Sequence, residues 1–252
     1  MLIVNADDWG SSRHTTDQIL LCYKKRRLTS ASAMVYMEDS ERAADLARQS
    51  GLEVGLHVNF TDRYTGPKKA SDTDESQARL SAFLRKNKYN LMLYNPFLSR
   101  DFENVFRFQY DEFIRLYGWP PAHINGHHHK HLCTNMLWTN VLPRNSMVRR
   151  SFSFFPGEKS GLNRFYRSLV DRSLQKRHVT TDFFFSIQPI QASGRMLQII
   201  ELAQSCNVEL MVHPQKQDEF DYLMSDRYAE LIDYVELGTY TGLGARLHRT
   251  SL

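Results

Sequence analysis

Short apolar runs rich in β-branched residues alternate along this chain with longer stretches whose apolar positions recur at helical spacing. The first run covers residues 2–6, and a helix is predicted over 15–27 with Ile19, Leu20 and Tyr23 on one face. A strand over 30–37, a helix over 40–49 opened by Ser40 as N-cap, and a strand over 53–57 follow. Residues 59–74, rich in Thr, Gly, Pro and Lys, read as a long loop. Helical spacing resumes over 75–86 and 102–117, the latter ended by Gly118 and Pro120-Pro121. A short strand at 123–126 leads to a helix near 132–141. Weaker strands at 147–155 and 181–187 flank a helix at 161–176. A helix over 194–206 runs into a strand over 208–213, and a helix over 226–235 leads to a short C-terminal segment.

Strand-then-helix alternation implies parallel strands covered by helices. About seven or eight such units in one chain favour an α/β fold of distorted TIM-like (β/α) barrel form, mostly parallel strands with outer helices. No repeat or linker divides residues 1–252, so a single domain is expected. No glycine-rich phosphate-binding turn follows the first strand.

Composition narrows the class only a little. The 252 residues are 42% hydrophobic and 24% charged, as in a soluble globular protein, and the formal charge of +4 is mildly basic. The basic clusters at 24–27 and 149–150 are short and read as solvated helix ends and loops, and no nucleic-acid-binding motif is present. Cys22, Cys133 and Cys206 are widely spaced and odd in number, which suggests neither a disulfide framework nor a thiolate zinc site. The opening residues carry no basic region and no long apolar stretch, so neither a signal peptide nor a transmembrane segment is expected, and a cytoplasmic location is.

The candidate chemistry is positional. Residues 2–6 end in Asp7-Asp8, residues 54–56 end in His57, residues 122–126 carry His123 and end at His127, and residues 210–212 end at His213. In a parallel α/β sheet or barrel the carboxyl ends of the strands converge on one face, where active sites are assembled. Five of the ten histidines fall between His123 and His131, more than one ion can take. Alternation along an extended segment puts His123, Asn125 and His127 on one face. Mixed carboxylate and imidazole donors suit one divalent ion, with Zn²⁺, Mn²⁺, Fe²⁺ or Co²⁺ the natural choices and a weakly held Mg²⁺ also compatible. One Asp with two His leaves coordination positions open for water and a substrate oxygen, the mark of a catalytic site.

The ordered set Asn5-Ala6-Asp7-Asp8-Trp9-Gly10, Gly55-Leu56-His57, His123-Ile124-Asn125-Gly126-His127-His128-His129 and Glu209-Leu210-Met211-Val212-His213-Pro214 resembles the YdjC-like (ChbG/HpnK) carbohydrate deacetylases. The resemblance implies a TIM-like barrel that removes an acetyl group from an N-acetylated sugar. It implies Asp8, His57 and His127 as metal ligands, Asp7 as general base and His213 as general acid. Trp9, His123, Asn125 and His129 would contact substrate or orient the ligands, and a homodimer would match the habit of the family. This chain departs from the pattern where it has Asn125 for Asp, Trp9 for Phe and Gln215 for Gly. Two other readings compete: a different metal-dependent barrel hydrolase, such as a phosphoesterase or amidohydrolase, and a catalytically silent glycan-binding protein.

Overall fold

The computed structural model describes residues 1–67, 73–139, 141–190 and 194–249. Part of the expected loop, residues 68–72, and Asn140 in the expected 132–141 helix lie outside the described residues. In chain order the elements are β1 (Leu2–Trp9), α1 (Arg13–Lys24), β2 (Ser30–Ala33), α2 (Ser40–Ser50), β3 (Glu53–Val58), α3 (Asp74–Lys86), α4 (Ser99–Tyr117), β4 (Ile124–Gly126) and α5 (Thr134–Trp138). They continue with α6 (Gly161–Gln175), β5 (Phe183–Ser186), α7 (Arg195–Ser205), β6 (Val208–Val212), α8 (Gln217–Met224), α9 (Asp226–Asp233) and α10 (Tyr240–Arg249).

Six parallel strands form one sheet in the order β4-β3-β2-β1-β6-β5. Every neighbouring pair is parallel, as the strand–helix alternation requires. The edge strands β4 and β5 do not pair directly. Residues 146–153 lie between them: Ile124 N–H donates to the Met147 carbonyl, Val148 N–H to Val179, and Ser153 N–H to Phe184. The expected strand at 147–155 is therefore a run of single bridges that carries the curled sheet round to its other edge. Among the described residues, six strands and this seam stand where spacing suggested seven or eight units.

Alternation along β1 divides the interior in two. Leu2, Val4 and Ala6 join the large apolar cluster between sheet and helices. Met1 and Ile3 instead pack with Tyr240 and Leu243, so α10, which the sequence reading passed over as a short segment, covers the end of the barrel where the strands begin. Above that plug the interior turns polar: Asn5, Asp7, Ser32, His57, His123, Asn125, Arg149 and Glu209 are all buried. Apolar packing thus holds the shell, and the barrel lumen is left to hydrogen-bonded chemistry.

Local capping follows ordinary rules, with one shift. Asp39, not Ser40, precedes α2, while the Ser40 hydroxyl donates to Met34 O and accepts from Met37 N–H to close the turn after β2. Gly118 ends α4 in a left-handed conformation with φ +83°, its N–H bonded to Ile114 O. The three cysteines are free, with Cys22 and Cys133 buried. Among the described residues no helix is long and apolar enough to cross a membrane.

Candidate metal centre

The strand ends converge as expected, and a single irregularity in β1 explains how two adjacent aspartates serve one site. Successive strand side chains normally point to opposite faces. Asp8 has φ +71°, and the register of β1 against β2 shifts between Ala6 and Trp9. Asp tolerates this left-handed backbone better than most residues. The kink turns Asp8 toward the same opening as Asp7 and hands the outward position to Trp9, which is fully buried in the shell. Trp9 is therefore a core residue here, with none of its surface exposed for contact with a substrate.

Asp8 Oδ1 lies 3.3 Å from His57 Nε2 and 3.0 Å from His127 Nδ1. The three donor atoms lie within 4.8 Å of one another, as ligands of a single ion must. Each group's remaining atom is also held. Asp8 Oδ2 accepts from Gln215 Nε2 at 2.8 Å, His57 Nδ1 meets the Asn125 amide at 2.7 Å, and His127 Nε2 meets Asp62 Oδ2 at 3.0 Å. Such outer partners fix tautomer and ring orientation at metal sites. The residues present fit a divalent ion.

Burial alone would raise the Asp8 carboxyl, but its two histidine partners carry it well below the usual carboxylate range. Burial would lower the His127 imidazole, yet Asp8 and Asp62 on either side of it raise it.

Asp7 stands beside this trio with a different partner. Arg149 grips it with Nη1 at 2.7 Å from Oδ2 and Nη2 at 2.8 Å from Oδ1, and Asn5 Nδ2 donates to Oδ1 at 3.0 Å. Burial opposes the charge, but Arg149 overcomes it and holds Asp7 ionised far below the ordinary range. Arg149 also donates through Nε to Glu209 at 2.7 Å and lies over the Phe184 ring. It is 1% exposed, so the expectation that the 149–150 cluster is solvated fails for this residue, while residues 24–26 are exposed as expected.

His213 follows β6 and is partly exposed. Its backbone N–H donates to Glu219 Oε2 at 2.6 Å, and its ring Nδ1 lies 3.5 Å from the same oxygen. Burial would raise Glu219, but its contacts with His213 bring it below its usual value. His213 is close enough for its charge to weigh on Asp7.

The histidine cluster divides its roles by backbone geometry. His128 and His129 have φ of +52° and +57°. The first is exposed, and the second turns back against Phe152 and Phe184. Burial keeps His129 neutral, well below its ordinary pKa. His123 is fully buried: it reaches Ser32 Oγ at 2.9 Å, stacks on Tyr240 at 3.8 Å and is likewise neutral through burial. A Cβ at Gly55 would lie 2.3 Å from its ring, so glycine there makes room for the histidine. His131 accepts no solvent either; burial depresses it to about 3, and Nε2 faces Arg149 O at 2.9 Å.

Sequence reading missed Asp62, Arg149 and Glu219. Asp62 sits in a tight turn closed by Asn59, whose Oδ1 accepts from the Thr61 and Asp62 N–H groups, and the buried Gln109 pins Asn59 at both backbone N–H and C=O. An Asx-turn a few residues beyond a candidate ligand was the available signal. For Arg149 the signal was a basic residue inside an expected barrel strand.

The YdjC-like protein family matches residues 1–234. The chain is similar to a chitooligosaccharide deacetylase of Proteus mirabilis, 36% identical over 133 residues that make up 52% of this chain and 50% of that protein. It is also similar to a carbohydrate deacetylase of Clostridium beijerinckii, 28% identical over 232 residues, which are 90% of this chain and 86% of that one. The chain thus spans about half the length of the first of these relatives and most of the second. A crystal structure from Enterococcus faecalis, described as a cellobiose-phosphate cleavage protein, shares the fold with a TM-score of 0.68 at 20% identity, covering 96% of this chain and 98% of that one.

Proposed function

The chain belongs to the YdjC-like family, and on that footing we propose that it hydrolyses the acetamide of an N-acetylated sugar, releasing acetate and the free amine. The observation that carries this reading is the convergence of Asp8, His57 and His127 donor atoms beside an aspartate held ionised by a buried arginine. Deacetylase relatives point to the same bond.

Asp8, His57 and His127 would hold the ion; two imidazoles with one carboxylate suit Zn²⁺ and similar ions better than Mg²⁺. A bound divalent ion supplies Lewis-acid polarisation of the acetyl carbonyl and a more acidic water. Asp7 orients the attacking water and takes its proton. Arg149 and Asn5 keep that carboxylate in one rotamer, so no reorientation is needed when the water attacks. His213 gives a proton to the departing sugar amine, with Glu219 fixing its position. The proton taken by Asp7 and the one given by His213 balance over the cycle.

A two-ion hydrolase, of phosphoesterase or amidohydrolase type, has one observation in its favour. Asp62, His127 and His128 form a neighbouring set with donor atoms close enough for an ion. About one tightly bound ion per chain supports the deacetylase, and two support the alternative. Acetate release from a panel of N-acetylated sugars tests the main reading, with Asp8→Ala and His57→Ala as controls. Activity that survives both substitutions rules it out, and absence of acetate from every sugar in the presence of bound metal favours a silent glycan-binding protein.

A further inference from the structure

Asn125 is where the metal trio and the clamp on Asp7 meet. Its buried side chain has one end 2.7 Å from His57 Nδ1. The other end lies 2.7 Å from Ser32 Oγ and 2.9 and 3.1 Å from the two terminal nitrogens of Arg149. An amide has a single acceptor end, and here two claims are made on it.

Arg149 has donors only. The arrangement that satisfies it turns the Asn125 oxygen toward Arg149 and Ser32, and the amide nitrogen then donates to His57 Nδ1. His57 Nδ1 must be the bare nitrogen in that case, which puts the ring proton on Nε2, facing Asp8 Oδ1 at 3.3 Å. That proton suits a metal-free protein, because it gives the carboxylate a donor. Ligation through Nε2 needs the reverse. The proton then moves to Nδ1, and the amide oxygen must turn to receive it. The amide nitrogen, though it donates to Ser32 Oγ at 2.7 Å and to Asp7 Oδ1 at 3.4 Å, then stands against the guanidinium nitrogens with no oxygen for them.

We infer that Asn125 acts as an orientation switch that links metal loading at His57 to the hydrogen bonding of Arg149, and so weakens metal binding. The inference rests on the metal reading above. A carboxylate at this position would accept from His57 Nδ1–H and Arg149 together, with nothing to turn.

Zn²⁺ affinity, measured at fixed pH by competition with a chromophoric chelator, tests it. Asn125→Asp is expected to bind Zn²⁺ about tenfold or more tightly than the native chain, in the range that outer partners of metal ligands command. The gain should vanish when Asp8→Ala is added. Equal or weaker binding by Asn125→Asp, with the native chain still binding, overturns the inference alone. No binding by the native chain removes the metal reading and the inference with it. A second measurement needs no substitution: ¹⁵N NMR of the native protein should show His57 protonated on Nε2 without metal and on Nδ1 with Zn²⁺. An Nδ1–H tautomer already present before Zn²⁺ is added also overturns the inference.

Discussion

Arg149 and Asp7 form a two-pronged ion pair, at 2.7 and 2.8 Å, with both side chains almost fully withdrawn from water. Cutting a buried pair on one side strands a charge, at a cost of about 3–5 kcal/mol. Arg149→Met is expected to lower unfolding stability by about that much in denaturant titration. Adding Asp7→Asn should recover part of the loss, because the stranded carboxylate goes with it. Strict additivity of the two changes would show that the pair is not coupled.

Acid sensitivity separates Asp7 from the buried histidines. A depressed carboxyl contributes stability that is present above its unfolded value of 3.8 and is lost as the pH falls through that value toward its folded one, so Asp7 adds no slope between about pH 7 and pH 5. His131, held near 3 against an unfolded 6.5, stays neutral while the unfolded chain takes up protons, so stability is lost from pH 6.5 downward. Between pH 6.5 and pH 5 this one group costs about 2 kcal/mol. Unfolding titrations across that range should show the slope, and His131→Gln should flatten it; an unchanged slope would place the proton uptake elsewhere.

Asp62 holds the far side of the His127 ring and is itself gripped by Arg85 at 2.5 Å. Removing an outer carboxylate of this kind typically weakens metal affinity 10–100-fold. Asp62→Ala should therefore raise the Zn²⁺ dissociation constant by about that factor while far-ultraviolet circular dichroism stays unchanged. Unaltered affinity would leave Asp62 as a loop anchor only.

For His213 the expected effect lies in turnover. His213→Gln should lower kcat by about 10²–10⁴-fold with little change in KM, as loss of a positioned acid does. Glu219→Gln, which leaves the ring present but alters its backbone anchor, should give a smaller fall in kcat. A rise in KM with kcat intact would move His213 from proton transfer to substrate binding.

Much of the fold could be read from β1, β3 and β6, because each is an apolar run that ends in a charged or imidazole group at the mouth of the barrel. That Asp8, His57 and His127 meet at one point was legible for the same reason, whereas their reading as metal ligands came from the family resemblance. Trp9 lies in the core because the kink at Asp8 reverses the facing of the next residue, which alternation alone cannot foresee. Helix α10 was missed because Gly242 and Gly244 weaken its local helical preference, which packing of Tyr240 and Leu243 against Met1 and Ile3 outweighs. Arg149 and Asp62 escaped because their importance lies in partners distant along the chain. An arginine beside another arginine looks solvated until Asp7 and Glu209 are seen around it.

The seam at residues 146–149 joins β4 to the segment leading into β5 by isolated bridges, not by a continuous ladder. From that stretch the Arg149 guanidinium reaches across the lumen to Asp7 on β1 and Glu209 on β6. The wall with the fewest stitches is thus braced from within by a charged tie rod. A chain that has not closed its ring has no grip on Asp7, so that carboxylate is aimed only in molecules whose last gap is shut.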